Sequence, residues 1–309
     1  MNLPWFEVKD YKWPDAWVRP ERRDARAHAY CELLESGKIL LFRDLPFRFL
    51  AADREFLLGQ EWAEIRLQKN IEYQPKEDVL RGVSSEVEKL ARVHSILRNY
   101  TAEVTQFVRG FLLPYAGSLI VEIATFHPFE EERRGVPLHK RADLLHVDAF
   151  PNRPTRGGRI LRVFTNLNPT KPRIWNTTGP FESIARQYAE DAGLQQIAED
   201  DLYRVREDQN LAAKLGFAAS GRTPYDMFML RFHDYLKENK AFQRDCAKIT
   251  VEFPPRSTWL VFTDAVVHGV LSGQYAIEQS FLVRPEKLVA PKCAPYRILQ
   301  DIAGLPLVS

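Results

Sequence analysis

The segment Leu144-Leu-His-Val-Asp-Ala-Phe150 holds an imidazole and a carboxylate two residues apart, His146 and Asp148. In an extended backbone, side chains at i and i+2 project to the same face, so one metal ion can reach both. With seven histidines in the chain such a pair also arises by chance, and it needs a third ligand to carry meaning. The run from Thr258 to Gly273 offers one: a strand, a turn carrying Asp264, then His268 opening the next strand of a hairpin. Two imidazoles and one carboxylate leave three positions of a metal open, which suits mononuclear non-haem Fe(II). The plainer reading is that His268 only satisfies its hairpin turn. The other histidines, His28, His94, His127, His139 and His233, fall in helical, charged or proline-containing stretches and read as surface or core polar residues.

The elements that must hold this trio are legible as a change of period. The N-terminal third reads as helix: Asp24 to Ser36, stopped by Gly37 before the apolar run Ile39 to Phe42, then a long helix that a Ser85/Glu88 pair is expected to cap. Val87, Leu90, Val93, Leu97, Tyr100, Val104, Phe107 and Phe111 recur there at a spacing near 3.6 and predict one buried face. After Pro114, Leu119–Phe126 and Ile160–Leu167 read as strands. Helices are predicted to fill Phe181 to Asp245, including Thr223–Lys237 with Pro224 near its start. Strands resume at Ile249–Phe253, Thr258–Phe262 and Tyr275–Val283. With no repeat, low-complexity tract or Gly/Ser linker, residues 1–309 read as one α+β domain: a helical layer over 1–115, a β-core over 116–285 with a helical insertion at 181–245, and an extension over 286–309.

A length of 309 residues, 45% of them apolar and 27% charged, allows a large buried core without staples. The formal charge of +2 gives no global field for a nucleic-acid backbone, although Arg19, Arg22, Arg23 and Arg26 cluster as a solvated helix face or an anion-binding patch. Cys31, Cys246 and Cys293 are too dispersed for a thiolate zinc site or redox pair, so a reducing compartment is expected. The first thirty residues mix Trp5, Trp13 and Trp17 with charges and lack the apolar core of a signal peptide. A cytoplasmic protein is the expectation, although aromatic and basic residues together there also suit contact with lipid headgroups.

On the trio and its flanks the sequence resembles the double-stranded β-helix (jelly-roll, cupin-like) Fe(II)/2-oxoglutarate oxygenases, over roughly Leu119 to Pro285. Within that superfamily the run His146-x-Asp-Ala-Phe-Pro-Asn-Arg-Pro-Thr-x-Gly-Gly-Arg-Ile-Leu-Arg-Val-Phe-Thr-Asn-Leu-Asn-Pro169, followed by Arg173-Ile-Trp175, looks specifically like the Kdo 3-hydroxylases. The resemblance implies His146, Asp148 and His268 as iron ligands, 2-oxoglutarate and O2 as co-substrates, and hydroxylation at carbon 3 of the 3-deoxy-D-manno-oct-2-ulosonic acid (Kdo) sugar on Kdo-lipid A. It also implies a lipid-linked substrate on the inner leaflet of the inner membrane; apart from the resemblance, no nucleic acid and no obligate protein partner are expected.

One family feature is absent. Where many relatives carry a basic residue about ten places after the distal histidine, to hold the far carboxylate of 2-oxoglutarate, this chain has Glu278 and Gln279. Arg162, on the strand that follows His-x-Asp, is the preferred substitute. Asn166 lies on the same strand face, Arg284 is the second candidate and Trp175 a further cofactor contact. Arg133, Arg134 and Lys140 on one flanking loop, and Arg153, Arg156 and Arg159 on the other, are expected to face an anionic substrate. Two rivals stand beside this reading: a 2-oxoglutarate hydroxylase of another small molecule, amino acid or protein side chain, and a non-catalytic metal-binding jelly-roll protein.

Overall fold

The computed structural model describes residues 3–14, 16–62, 70–130, 136–151, 153–200 and 221–308. The chain opens with β1 (Trp5–Glu7) and a small ribbon of β2 (Tyr11–Lys12) and β3 (Ala16–Trp17), followed by α1 (Arg23–Glu35) and β4 (Ile39–Phe42). Next come α2 (Ala51–Leu58), β5 (Ile71–Gln74), β6 (Val79–Arg81), the long α3 (Val87–Phe111), β7 (Ile120–His127), β8 (Arg159–Asn166) and β9 (Arg173–Thr177). Helices α4 (Phe181–Tyr188), α5 (Pro224–Glu238) and α6 (Lys240–Asp245) lead to β10 (Ile249–Phe253), β11 (Thr258–Phe262), β12 (His268–Ser272), β13 (Ala276–Val283) and α7 (Pro295–Ala303).

Eight strands form one sheet in the order β1-β4-β11-β8-β13-β7-β5-β6, antiparallel at every pairing except β1 with β4. A second sheet runs β10-β9-β12. The fold is therefore α+β around a large antiparallel sheet. Central strand β8 is buried along almost its whole length because both of its faces are covered, which is why its sequence reads as a nearly continuous apolar run rather than an alternation.

Its outer face meets α3. Val93, Leu97, Tyr100, Val104, Phe107 and Phe111 are buried there as their spacing predicts, and pack with Leu161, Val163 and Ile277. The first turn departs from expectation. Val87 is 83% exposed, Glu86 takes the N-cap position, and no side chain caps this helix, so the predicted Ser85/Glu88 box does not form. A true capping box occurs instead at α5, where the Thr223 hydroxyl accepts from the Asp226 amide and the Asp226 carboxylate accepts from Thr223.

The inner face meets the small sheet. Phe164, Trp175, Phe253 and Trp259 interlock there, with Phe253 and Trp259 stacked at 3.9 Å between ring centroids. Buried aromatics of this size contribute at most about 4–6 kcal/mol each by area. A third cluster joins α4, α5 and α7 to Leu145, Val147, Ala265 and Val267, the residues that alternate with the candidate ligands. Among the described residues, no helix is long and apolar enough to cross a membrane.

Candidate metal centre

Alternation places the site. Leu145 and Val147 are buried against the helical insertion, so His146 and Asp148, on the opposite parity, turn toward the space between the sheets. His146 then pairs with His268 across an isolated antiparallel bridge: the His146 amide donates to the His268 carbonyl at 3.0 Å, and the His268 amide returns the bond at 2.9 Å. Directly opposed residues in such a pair share a face, and the two imidazole rings lie 4.7 Å apart. Next along β12, Gly269 permits the approach, because a Cβ there would stand 2.7 Å from the Asp143 carbonyl oxygen. The Asp148 amide is held by the Thr263 carbonyl at 2.8 Å, and one Asp148 carboxylate oxygen lies 3.6 Å from His146 Nε2.

Each imidazole is oriented by its far nitrogen. Nδ1 of His146 bonds to the Leu144 carbonyl at 2.7 Å and Nδ1 of His268 to the Val266 carbonyl at 2.8 Å. Taken as donors, these contacts leave Nε2 of both rings as free lone pairs, the form a metal requires. Burial lowers the pKa of both histidines, which keeps them neutral. The Asp148 pKa is lowered as well: burial opposes its charge, but the Arg162 guanidinium, the two neighbouring imidazoles and the Thr263 hydroxyl together outweigh burial and hold the carboxyl well below the usual range. Two neutral imidazoles and one ionised carboxylate therefore fit a divalent metal without prior proton loss.

The sequence pattern missed a third imidazole. His233, on α5, places a ring nitrogen within 4.8 Å of ligand atoms of both His146 and Asp148, and its Nδ1 also bonds to a backbone carbonyl, that of Val147, at 2.7 Å. Expected as a surface or core polar residue, it is partly buried and stands beside the candidate centre. Lys237 follows one turn later with a nearly buried ammonium. The helical period marks 233 and 237 as neighbours, but nothing local says that this face of the insertion meets the 144–148 segment.

Arg162 stands beside the trio as expected, on the inner face of β8, but already faces two carboxylates. Its Nε lies 2.9 Å from Asp148 Oδ2, an ion pair rather than an aligned hydrogen bond, and NH1 bonds to Glu278. Glu278 also lies 3.6 Å from His127 Nε2. Arg162, Glu278 and His127 line a cavity of about 370 Å³ together with Asn70, Glu72, Glu122, Ile123, Thr125, Phe150, Pro151, Arg153 and Ser280.

The other expected contacts are dispersed. Arg153 does line the cavity, paired with Glu122. Arg159, expected to face substrate, is fully buried on the other face of β8, where it bonds to Asp264 at 2.7 Å and lies over the Phe262 ring; it braces the turn that leads to His268. Asn166 is also structural, its amide shared among the carbonyls of Lys171, Phe253 and Pro254 and its oxygen accepting from Asn168. Trp175 reaches the site from behind, stacked on His268 with ring centroids 5.0 Å apart, and is absent from the cavity lining. Arg284 is exposed at the end of β13 beside Glu286. Arg156 and Lys140 are exposed, and the Arg156 amide donates to Asp226. Arg133 and Arg134 lie outside the described residues.

Two imidazoles and a carboxylate beside an open cavity, in a fold built on a large antiparallel sheet, form the kind of site that mononuclear non-haem iron enzymes use. Residues 17–306 match the family described as 3-deoxy-D-manno-oct-2-ulosonic acid (Kdo) hydroxylase. Among solved structures, the chain is similar to the Kdo hydroxylase KdoO, a non-haem Fe(II) α-ketoglutarate-dependent dioxygenase. The apo form matches with a TM-score of 0.80 at 31% identity, covering 99% of this chain and 98% of that one. The complex of KdoO with α-ketoglutarate and Fe(III) matches at 0.79 and 31%, and the cobalt(II) complex at 0.79 and 30%, with the same coverage of both chains. No sequence among the curated proteins matches. The chain belongs to the Kdo hydroxylase family.

Proposed function

We propose that this chain is an Fe(II)- and 2-oxoglutarate-dependent dioxygenase that hydroxylates Kdo-lipid A of the lipopolysaccharide inner core at carbon 3 of the Kdo sugar, with O2 as co-substrate. The observation that carries this reading is the pairing of His146 with His268, ring centroids 4.7 Å apart and Nδ1 of each on a backbone carbonyl, beside the ionised Asp148 carboxylate, one oxygen of which lies 3.6 Å from His146 Nε2. Those three residues would hold the iron. Bound there with 2-oxoglutarate and O2, iron supplies the oxidising chemistry that inserts one oxygen atom into a C–H bond while the oxo acid is decarboxylated to succinate.

The protein's part is orientation and charge. Arg162 keeps Asp148 ionised and fixes one of its oxygens, Trp175 sets the plane of His268, and the bridge between the two histidines prevents either from drifting. The two packed sheets are read as the double-stranded β-helix core of one domain, with the cavity as the entry for oxo acid and sugar. His233 is a rival for the third imidazole position because of its distance to His146 and Asp148. His268 is favoured, since its backbone is tied to that of His146 and its ring is clamped by Trp175. Peripheral contact with an anionic membrane surface is supported by exposed Trp13 and Val18 close in the chain to exposed Arg19, Arg22 and Arg23.

The test is turnover of 2-oxoglutarate to succinate with Kdo-lipid A as acceptor, read by mass spectrometry. The product should gain the mass of one oxygen atom. Succinate formation that responds only to a different acceptor would remove the sugar from this reading, and a metal-loaded protein with no succinate at all would remove the chemistry.

A further inference from the structure

A dicarboxylate cofactor and an acidic sugar both bring negative charge to this site, and the arginines of the cavity are already committed. Arg162 carries Glu278 and Asp148, and Arg153 carries Glu122. Glu72 adds a further carboxylate to the lining. An incoming carboxylate therefore needs a cation from elsewhere.

Lys237 is such a cation. It is 5% exposed, and its ammonium makes one hydrogen bond, to the His139 carbonyl at 3.0 Å. An ammonium has three N–H donors, and among the described residues no carboxylate lies within ion-pair distance of this one. Lys237 follows His233 by one turn of α5, so both project from the helix face that meets the 144–148 segment. The His233 ring lies 4.9 Å from that of His146, so the helix face that carries Lys237 is the one packed against the centre rather than the outer surface. Burial lowers its pKa, the mark of a charge kept from water without a full partner.

The geometry points to Lys237 as the residue that anchors a ligand carboxylate beside the metal centre: the far carboxylate of 2-oxoglutarate or the carboxylate of the sugar-acid acceptor. The inference rests on the function proposed above. It moves the anchoring role from the strands of the sheet to the helical insertion, and it explains how the chain dispenses with a basic residue at Glu278 or Gln279. The bland alternative is that Lys237 only ties α5 to the turn at Leu138–Lys140 through the His139 carbonyl. A tie of that kind affects stability but has no preference among oxo acids.

The experiment is calorimetric titration of the full-length Co(II)-loaded protein with 2-oxoglutarate and with 2-oxopentanoate, which has the same carbon chain without the far carboxylate. Wild type should prefer 2-oxoglutarate by about ten- to a hundredfold, the worth of one or two charge-assisted hydrogen bonds. Lys237→Met should lose that preference while binding 2-oxopentanoate as before, and Lys237→Arg should recover part of it. If the preference survives in Lys237→Met but the KM for Kdo-lipid A rises tenfold or more, Lys237 holds the sugar's carboxylate. If neither the preference nor that KM moves, the assignment is overturned. Should Lys237→Met not fold, Lys237→Gln takes its place under the same criteria. Wild-type protein that holds Co(II) yet binds neither oxo acid sinks the reading of the centre itself, an outcome distinct from an unchanged preference in the variant.

Discussion

His146 and His268, far apart in the chain, donate their amides to each other's carbonyls across one antiparallel bridge, and this double bond sets their imidazoles on the same face. The relative placement of these two candidate ligands is thus fixed by backbone pairing, with side-chain packing in support. The bridge separates His268 from its rival on the insertion helix. His146→Ala and His268→Ala should each weaken Co(II) binding by a hundredfold or more, whereas His233→Ala should change it by less than about tenfold. A titration followed by cobalt absorption reads all three, and a loss in His233→Ala equal to that in His268→Ala would transfer the third ligand to α5.

Gly269 should tolerate no side chain. A Cβ at this position meets the Asp143 carbonyl at 2.7 Å, and backbone rather than a flexible side chain must yield. Gly269→Ala should cost about 1–3 kcal/mol of stability and, by pushing the Ala142–His146 segment away from β12, lower metal affinity as well. Urea unfolding and the same cobalt titration measure the two effects; normal values for both would mean that the bridge is not under that constraint.

Arg162 neutralises two largely buried carboxylates, so its removal should hurt more than the removal of the whole cluster. Arg162→Met should destabilise the metal-free protein by about 3–5 kcal/mol, and adding Glu278→Gln should restore much of that, because the uncompensated charge causes most of the damage. Strictly additive losses in chemical denaturation would contradict the pairing.

The metal-free protein should lose stability in mild acid. Burial lowers the pKa of His146, His233 and His268 from an ordinary value of 6.5, so below about 6.5 the unfolded chain binds protons that the folded chain refuses. Stability is full above pH 6.5 and falls as pH drops through the folded-state values, with Asp148, also lowered, adding a further loss in stronger acid. Melting temperature measured from pH 8 to pH 5 should fall in wild type and fall less in His268→Gln. A flat profile would show that these rings are open to water.

Exposed Trp13 and Val18 should report any membrane contact. Flotation with vesicles containing anionic lipid should carry the wild-type chain, and Trp13→Ser should reduce the carried fraction several-fold while neutral vesicles carry little of either. Equal recovery on anionic and neutral vesicles would remove this surface from consideration.

Much of the β-core and the long helix was legible because their signals are local. Two-residue alternation marks His146 and Asp148 as neighbours on one face, and a 3.6-residue period marks the buried side of α3. Strand parity even contained a warning: Arg159 and Arg162 stand three apart on one strand and must point to opposite faces, so both could not line one cavity. The helix start at Val87 was misplaced, because Ser85 and Glu88 satisfy a pattern that backbone geometry does not use there.

The sequence alone determined that His146 and Asp148 share one face, since residues two apart in a strand do so whatever surrounds them, and it offered His268 as a third candidate. Tertiary structure decided everything that depends on charge partners: that Arg159 belongs to Asp264, that Arg162 is held between Asp148 and Glu278, and that His233 and Lys237 arrive from the insertion. Those pairings join residues far apart in the chain, and only the register of β8 against β13 and the docking of α5 on the 144–148 segment fix which charges meet.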